Sequence, residues 1–296
     1  ILIEAPADEK IRAKWLEQLR EAIEDDGVDY LAPIAHCFGQ IAAYPGLMNL
    51  HADRDLDMIE AAWSDHERFI HVATGSLTLS CLLEAGRHDE LLALLACKKT
   101  HLWFDEKFGA EALLQLRGTE AALRYLEAWR VQTWRTRRFR LLIEQREVLI
   151  LQSARRWREA RLKLEAMATR IGAIWIDSAG ENLADLRDPE DVAQALIWLR
   201  QQVFERPRDQ ALQQKLAFAN KNPHLSWRQR RQLAVWQAWV ARRRGQVPAA
   251  RQLLADALST CVARDCRAPL LEERLLVVPL VNDPRMAGGP MRTAPI

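Results

Sequence analysis

The amino-acid sequence predicts an all-α protein built from stacked antiparallel helix pairs. Three observations favour this fold class. Most of the chain consists of runs of about 12 to 25 residues rich in Ala, Leu, Glu, Arg and Gln, which are good helix formers. Gly and Pro occur only 12 times each and lie mostly between those runs, where they end helices. A pattern of two apolar helices joined at a turn recurs, whereas strand patterns are rare.

The recurring pattern is clearest in residues 79–95, LSCLLEAGRHDELLALL, where Gly86 lies at the turn. Residues 108–128, FGAEALLQLRGTEAALRYLEA, repeat it, and Gly118 follows Gly86 by 32 positions. Glycine suits such turns because it readily adopts the left-handed conformation that closes a helix C-terminus. The repeat therefore predicts two antiparallel helix pairs.

Two further copies lie later in the chain. Residues 148–166, VLILQSARRWREARLKLEA, have the same apolar pattern without a glycine at the turn, and residues 235–258 turn at Gly245. Two short apolar runs, residues 171–176 and 275–281, fit a buried strand or a buried helix equally, because periodicity cannot separate the two.

The 32-residue spacing is close to the roughly 34 residues of a tetratricopeptide repeat. Because Ala and Leu follow its Gly turns at helical spacing, the chain resembles the tetratricopeptide-repeat family over about half its length. The closing Pro and the Trp-Leu-Gly signature of that family do not occur. Residues 101–113, HLWFDEKFGAEAL, are similar to a segment of bacterial helical-repeat proteins. The resemblance implies an α-solenoid, a superhelix whose concave face binds a partner.

Charge divides the chain into two parts. Residues 1–128 carry a net charge of −11 and residues 129–296 one of +13, which together give the +2 of the whole chain. We therefore predict an acidic helical-repeat half over residues 1–132, a basic half over residues 133–282 that is continuous with it, and a flexible tail over residues 283–296. The positive charge of the basic half favours an anionic ligand there. Alternatively, the opposite charges favour attraction between the two halves, or between two copies of the chain in a homo-oligomer.

Composition indicates a globular protein, with 49% hydrophobic and 28% charged residues, and its 11 Trp side chains suit the packing of helix on helix. No apolar run approaches the roughly 20 residues that cross a bilayer, so no membrane partner is expected. Residues 1–10 lack the basic and apolar regions of a signal peptide. The five Cys are an odd number, which favours free thiols in a reducing compartment. We expect a cytoplasmic protein.

Motifs that would carry catalysis or bind a metal are weak. His66 and His71 are five positions apart, about 500° around a helix, which places them on different faces. Cys261 and Cys266 have no second pair of ligands after them. The sequence has no Gly-rich phosphate loop and no Gly-x-Ser-x-Gly elbow, and the acidic run at residues 24–29 lacks the alternating ligands of a calcium loop. We expect no metal, no cofactor and no enzymatic activity.

The basic run at residues 134–140, WRTRRFR, makes Arg137 and Arg138 candidate nucleic-acid contacts. The favoured interpretation is a solvated helix flank, because three acid–base pairs at i,i+4 would absorb much of the charge. The predicted pairs are Arg140–Glu144, Arg155–Glu159 and Arg161–Glu165.

Residues 226–251 are the stronger candidate for anion binding, because they contain seven Arg and no acidic residue. A helical wheel places four side chains in one stripe: Arg228, Arg231, Trp239 and Arg242. It gathers the following residues on the buried side: Leu233, Trp236 and Val240. Arginine beside an aromatic ring is typical of single-strand binding, where the charge meets phosphate and the ring stacks on a base. Alternatively, Trp239 packs against a neighbouring helix or under Arg stems, or the stripe binds acidic protein.

These observations predict a non-enzymatic protein-interaction scaffold that binds a protein or peptide on a concave helical-repeat surface. One alternative is a nucleic-acid-binding helical protein that uses the Arg- and Trp-rich second half. Another is a sensor or regulatory region of a larger signalling or transcription-regulator protein. No residue pattern discriminates for or against this last alternative.

Overall fold

The computed structural model describes residues 7–26, 31–65, 72–98, 103–132, 137–171, 185–187, 189–263 and 268–286. Every regular element within these ranges is a helix, which confirms the all-α fold class. No helix among them has both the length and the apolar character needed to cross a bilayer.

The chain divides into two compact units, residues 1–143 (unit 1) and residues 144–296 (unit 2). The boundary therefore falls after residue 143 rather than after the predicted residue 132. Unit 1 holds 17 basic and 23 acidic residues and unit 2 holds 25 and 17, which gives net charges of −6 and +8. The charge contrast between the units is thus smaller than between the predicted halves.

Helices α1 to α9 belong to unit 1. They are α1 (Glu9–Glu24), α2 (Ala32–Ala35), α3 (Phe38–Ala42), α4 (Pro45–Asp53), α5 (Leu56–Ser64), α6 (Gly75–Glu84), α7 (His88–Cys97), α8 (Trp103–Arg117) and α9 (Thr119–Gln132). The packing follows chain order. Helix α3 contacts α4 and α6, α6 contacts α7 and α8, and α8 contacts α7 and α9. Helices α3 and α6 therefore each pack against the next helix and against the first helix of the next pair.

Glycines set the spacing between these helices. A Cβ atom on Gly39 of α3 would clash with the carbonyl oxygen of Ser80 in α6. A Cβ atom on Gly109 of α8 would lie 2.6 Å from the hydroxyl of Tyr125 in α9 and 3.0 Å from Leu95 in α7. Because glycine has no Cβ, these helices approach more closely than larger side chains would allow.

The apolar core of unit 1 draws on α1 and on the helix pairs that follow it. Its fully buried members include Leu16, Phe38, Ile59, Leu79 and Leu91. Each such side chain contributes about 1.5–3 kcal/mol when it leaves water. The core thus holds together helices that have little intrinsic stability at lengths of about one to four turns.

Helices α11 to α17 belong to unit 2, and α10 crosses the boundary between the units. They are α10 (Arg137–Ser153), α11 (Trp157–Ile171), α12 (Pro189–Glu205), α13 (Gln210–Ala219), α14 (Trp227–Arg243), α15 (Val247–Ala263), α16 (Ala268–Glu272) and α17 (Arg274–Val281). A 3-10 helix follows at Pro284–Met286. Helix α12 contacts α11, α13 and α14, and α14 contacts α13, α15, α16 and α17. Helix α14 is therefore central to unit 2.

The buried face predicted for α14 is confirmed. Leu233, Trp236 and Val240 are at most 2% exposed and belong to one apolar core with α12 and α13. The ambiguous run at residues 275–281 is helical, within α17. In the other ambiguous run, residues 172–176 lie outside the described residues.

All four copies of the repeated pattern form two helices and a turn. Gly86, Gly118 and Gly245 have φ angles of 76°, 80° and 83°, the left-handed conformation that was expected. In the copy without a turn glycine, Arg155 takes the same conformation at a φ angle of 61°. The backbone N–H of Arg156 donates to the Leu151 carbonyl at 2.9 Å.

The three predicted pairs at i,i+4 have different outcomes. The Arg161 guanidinium lies 3.7 Å from the Glu165 carboxylate, as predicted. Glu159 pairs instead with Arg156 at 2.6 Å, because the left-handed turn at Arg155 takes that residue out of the helix. The side chain of Arg140 lies outside the described part of the structure.

The packed part of the chain extends beyond residue 282, the last residue before the predicted tail. Residues 284–286 form the 3-10 helix, and Met286 is fully buried. Residues 287–296 lie outside the described part of the chain. The ordered structure thus continues four residues into the segment that was predicted to be flexible.

Candidate functional site

Helix α14 holds four of the six residues predicted to bind an anion. It begins with a capping box at Ser226. The Ser226 hydroxyl accepts from the Gln229 N–H at 3.2 Å, and the Gln229 side chain accepts from the Ser226 N–H at 2.9 Å. This reciprocal pair fixes the first turn and sets which side chains face the neighbouring helices.

Arg228 and Arg231 lie on the first half of α14. The Arg228 guanidinium pairs with the Glu272 carboxylate at the end of α16, and Gln232 donates to the same carboxylate. Arg231 donates to the Thr260 hydroxyl of α15 at 3.5 Å, a long contact. The first half of the stripe is thus engaged by neighbouring helices.

Arg242, at the other end of the stripe, pairs with Asp283. Asp283 also accepts from the backbone N–H of Arg285 at 3.0 Å. Burial raises the pKa of the Asp283 carboxyl, but the Arg285 N–H and the Arg242 guanidinium together outweigh burial, so this pKa is lowered. Asp283 is therefore ionised at neutral pH and neutralises Arg242.

Trp239 is partly buried and packs against two apolar clusters, one with α12 and α13 and one with α15. The Arg243 guanidinium lies 5.5 Å from the centre of its ring, within the range of a cation–π contact. This arrangement matches the packing alternative from the sequence. A base could stack on this ring only after Arg243 and the surrounding side chains moved.

Arg137 and Arg138 open helix α10, but their side chains lie outside the described part of the structure. The structure therefore tests neither of them as a contact. It also does not describe residues 133–136, which include the Trp134 of the same basic run.

Two further arginines of the 226–251 segment bind backbone carbonyl oxygens. Arg230 donates to the carbonyls of Asn220 and Asn222, at 3.0 and 2.8 Å, and so holds the turn between α13 and α14. Arg251 of α15 donates to the Arg285 carbonyl. The segment contains no acidic residue, yet the tertiary fold brings acceptors to its arginines from α16 and from the residues after α17.

A buried polar cluster in unit 1 was missed by sequence reasoning. Asp105, in the first turn of α8, is 2% exposed. Its carboxylate accepts from the Ser76 hydroxyl of α6 at 2.6 Å, pairs with Lys98, and lies 4.0 Å from the His36 ring. The only sequence signal was its place near a helix N-terminus, where a negative charge is favoured.

His36 is held in its neutral form. Burial, reinforced by the Lys107 and Lys98 ammonium groups, lowers the pKa of His36 to about 4, although the Asp105 carboxylate opposes the shift. Lys98 also lies 4.5 Å above the Trp63 ring. The cluster therefore combines one ion pair and a neutral imidazole in an apolar setting, and it ties α6 and α8 to the segment before α3.

Glu106, next to Asp105, is fully buried. The Tyr125 hydroxyl of α9 donates to its carboxylate. Burial, together with the negative charge of Glu106, raises the pKa of Tyr125, so the hydroxyl stays protonated as a donor. The two neighbouring carboxylates of α8 thus bind helices on either side of it.

Unit 2 has a second buried network that was not predicted. The Arg200 Nε atom of α12 donates to the Glu273 carboxylate at 2.9 and 3.2 Å, and its Nη1 atom donates to Gln152 of α10 at 2.9 Å. Gln152 donates to Gln201 at 3.0 Å, and Gln201 donates to Glu205 at 2.8 Å. Burial raises the pKa of Glu273, and the Arg200 guanidinium opposes that shift.

Cys81 is a buried thiol, and burial raises its pKa to about 12, so it is not a nucleophile at neutral pH. Within the described ranges, no cluster of three His, Cys, Asp or Glu side chains is placed to hold a metal ion. His66, His71 and Cys266 lie outside those ranges.

Comparison of the chain with protein-family models, with curated proteins and with solved structures finds no match. The function is therefore inferred from the residues and their geometry.

Proposed function

We propose that this protein is a non-enzymatic interaction scaffold and that its helix pairs stack in the manner of tetratricopeptide repeats, presenting a concave surface to a protein or peptide. One observation carries the proposal. In each unit the first helix of a pair contacts its own partner and the first helix of the next pair, as α3 and α6 do in unit 1 and α12 and α14 do in unit 2. Stacks of this kind expose repeated helix faces that are suited to binding.

The turns support the same proposal. Four helix pairs close through a left-handed residue at Gly86, Gly118, Arg155 or Gly245. A repeated closure brings each pair back antiparallel, so that its apolar face is covered by the next pair. The close approach at Gly39 and Gly109 fits the tight helix contacts that such a stack needs.

The contacts of α14 favour a protein partner over nucleic acid. Arg228 and Arg242 already pair with carboxylates, and Trp239 lies among apolar side chains. Phosphate binding at this stripe would require both ion pairs to break. The free energy needed to break each ion pair would lower the affinity for nucleic acid, offsetting the gain from counterion release.

Fluorescence anisotropy tests the proposal against this alternative. Labelled single-stranded and duplex oligonucleotides are titrated with the full chain at about 50 mM and about 150 mM salt. We expect no micromolar binding at either salt concentration. Binding that is tight at low salt and falls steeply with log salt would contradict the scaffold proposal.

A reconstituted complex provides the positive test. Proteins that cross-link to the full chain in cells are purified and their binding is measured by calorimetry. We expect a stoichiometric complex with at least one protein, with hydrogen-exchange protection on contiguous helix pairs. Measured turnover of a small molecule with no protein complex would overturn the proposal.

A further inference from the structure

Residues 282–286, which follow α17, lie on α14 and α15 in the way that a short peptide lies on a receptor. Pro284 fixes the backbone at the start of the 3-10 helix. The Met286 N–H donates to the Asp283 carbonyl at 2.8 Å and closes this single turn. Three separate attachments hold this 282–286 segment, and each has a different chemical character.

The first attachment is a charge pair. Asp283 pairs with Arg242 of α14, and both side chains are largely buried, with 19% and 11% exposed. The second Asp283 oxygen accepts from the Arg285 N–H at 3.0 Å, so the turn presents the carboxylate to α14. This contact selects an acidic side chain at the first position of the turn.

The second attachment recognises backbone. Arg251 of α15 donates through its Nε atom to the Arg285 carbonyl at 3.1 Å, and through its Nη2 atom to the same oxygen. The Arg285 side chain is 74% exposed, and its Nε atom lies 3.6 Å from the Asp283 carboxylate of the same turn. The position before Met286 can therefore carry many side chains without loss of this contact.

The third attachment is apolar. Met286 is fully buried in a cluster with small residues on both helices, Ala238 and Ala241 of α14 and Ala250 of α15. Three alanines leave room for one long, unbranched side chain between the helices. Methionine suits such a space because its side chain is flexible and polarisable.

We propose that this surface of α14 and α15 is a peptide-recognition site that residues 282–286 occupy in cis, and that it accepts a partner segment of the form acidic residue, Pro, any residue, long apolar residue. This inference deepens the proposed function and rests on it. A charge, a backbone contact and one buried anchor are the elements by which short segments bind specifically. The net charge of +8 on unit 2 favours the approach of acidic segments.

The segment in cis limits binding by a partner. A tethered five-residue segment acts at an effective concentration of about 1 mM, so a partner must outcompete it. Weakening the segment in cis should therefore increase affinity for the same segment supplied in trans.

The test uses a fluorescein-labelled peptide, VNDPRM with an amidated C-terminus, titrated by anisotropy with the full chain. We expect weak binding to the unaltered chain and at least about tenfold tighter binding to the variant Asp283→Asn/Met286→Ala. Adding Arg242→Gln to that variant should weaken binding about tenfold, because the peptide carboxylate then loses its partner. A control peptide, VNNPRS, should not bind any of these proteins.

The inference is overturned if the double variant keeps its helix content by circular dichroism and does not bind VNDPRM. If the double variant unfolds, the single variant Asp283→Asn provides the test, because it keeps the buried Met286 side chain. We expect it to bind VNDPRM about threefold more tightly than the unaltered chain. Unchanged affinity would overturn the inference. If a purified partner binds other helices and VNDPRM does not bind, the scaffold proposal is kept and the inference about this site is overturned. Oligonucleotide binding would remove the scaffold proposal, whereas the peptide titration judges this site separately.

Discussion

Units 1 and 2 are built from the same kind of helix pair but bury different polar chemistry. In unit 1, Asp105 gathers an ammonium group, a hydroxyl group and the nearby ring of His36. In unit 2, Arg200 pairs with Glu273, and side-chain amides continue the hydrogen bonds to α11 and α12. The first cluster contains His36, whose imidazole is neutral in the folded protein and becomes protonated near its ordinary pKa when the chain unfolds. The second cluster contains no histidine.

The histidines extend this difference beyond the two clusters. Six of the seven His residues lie in unit 1, and the seventh, His224, is exposed in unit 2. His51 of α4 is 1% exposed, and burial lowers its pKa as it does that of His36. Acid should therefore destabilise unit 1 more than unit 2, whereas loss of an ion-pair partner should destabilise unit 2.

The largest effect is expected from Arg200→Met in unit 2. Glu273, which is 1% exposed, would then stay buried without its guanidinium partner. Removal of one member of a buried pair costs about 3–5 kcal/mol. Urea unfolding followed by circular dichroism measures the loss, and hydrogen exchange should locate it in α10, α12 and α17.

Two variants check this interpretation. Arg206→Met changes an exposed arginine at the end of the same helix and should alter stability by less than about 0.5 kcal/mol. Arg200→Met/Glu273→Leu removes both charges and should regain most of the loss, because the isolated buried carboxylate is gone. A cost below about 1 kcal/mol for Arg200→Met alone would show that the pair carries little of the stability of unit 2.

Acid should destabilise unit 1 selectively. The folded protein keeps His36 neutral down to about pH 4, whereas the unfolded chain protonates it near its ordinary pKa of 6.5. The unfolded state therefore binds more protons between these values, so the contribution of His36 is complete above pH 6.5 and is lost as pH falls towards 4. The loss should be on the order of 2–3 kcal/mol. Hydrogen exchange of α3, α6 and α8 measured from pH 7 to pH 4 would show it.

His36→Gln separates this effect from the general titration of carboxylates. The variant has no imidazole, so the free energy of unfolding of unit 1 should depend less steeply on pH between 6.5 and 4 than in the unaltered chain. An unchanged slope in His36→Gln would assign the acid sensitivity to other groups. Unit 2 serves as the internal reference in both proteins.

The smallest effects concern the turns. Gly86→Ala should destabilise unit 1 by about 1 kcal/mol, because the new Cβ would meet no neighbour but the φ angle of 76° disfavours alanine. Arg155→Gly should stabilise unit 2 by up to about 1 kcal/mol, since it relieves the same left-handed strain. Thermal unfolding of each variant measures both shifts.

Arg158→Gly is the matched control for the second substitution. Arg158 is exposed and is the second residue of α11, so glycine there should destabilise the helix by up to about 1 kcal/mol. The same chemical change would thus have opposite signs at two positions three residues apart. Equal signs would mean that the left-handed conformation at Arg155 stores no strain.

The helices and most of their turns followed from the sequence because their causes are local. Gly86, Gly118 and Gly245 mark turns that only a few conformations can close. The buried face of α14 followed from the spacing of Leu233, Trp236 and Val240. In the copy without a glycine, the turn was predicted by pattern, but the strained residue, Arg155, could not be identified.

The tertiary structure alone decided which charged groups meet. Arg228 and Glu272 are 44 positions apart, and Arg242 and Asp283 are 41 apart, so no local pattern could pair them. The burial of Asp105 likewise depends on α6 lying against α8. Local spacing fixes which residues share a helix face, since it depends only on helix geometry. The packing of distant helices fixes whether a charge on that face meets solvent, a carboxylate or a partner, because that outcome depends on residues far away in the chain.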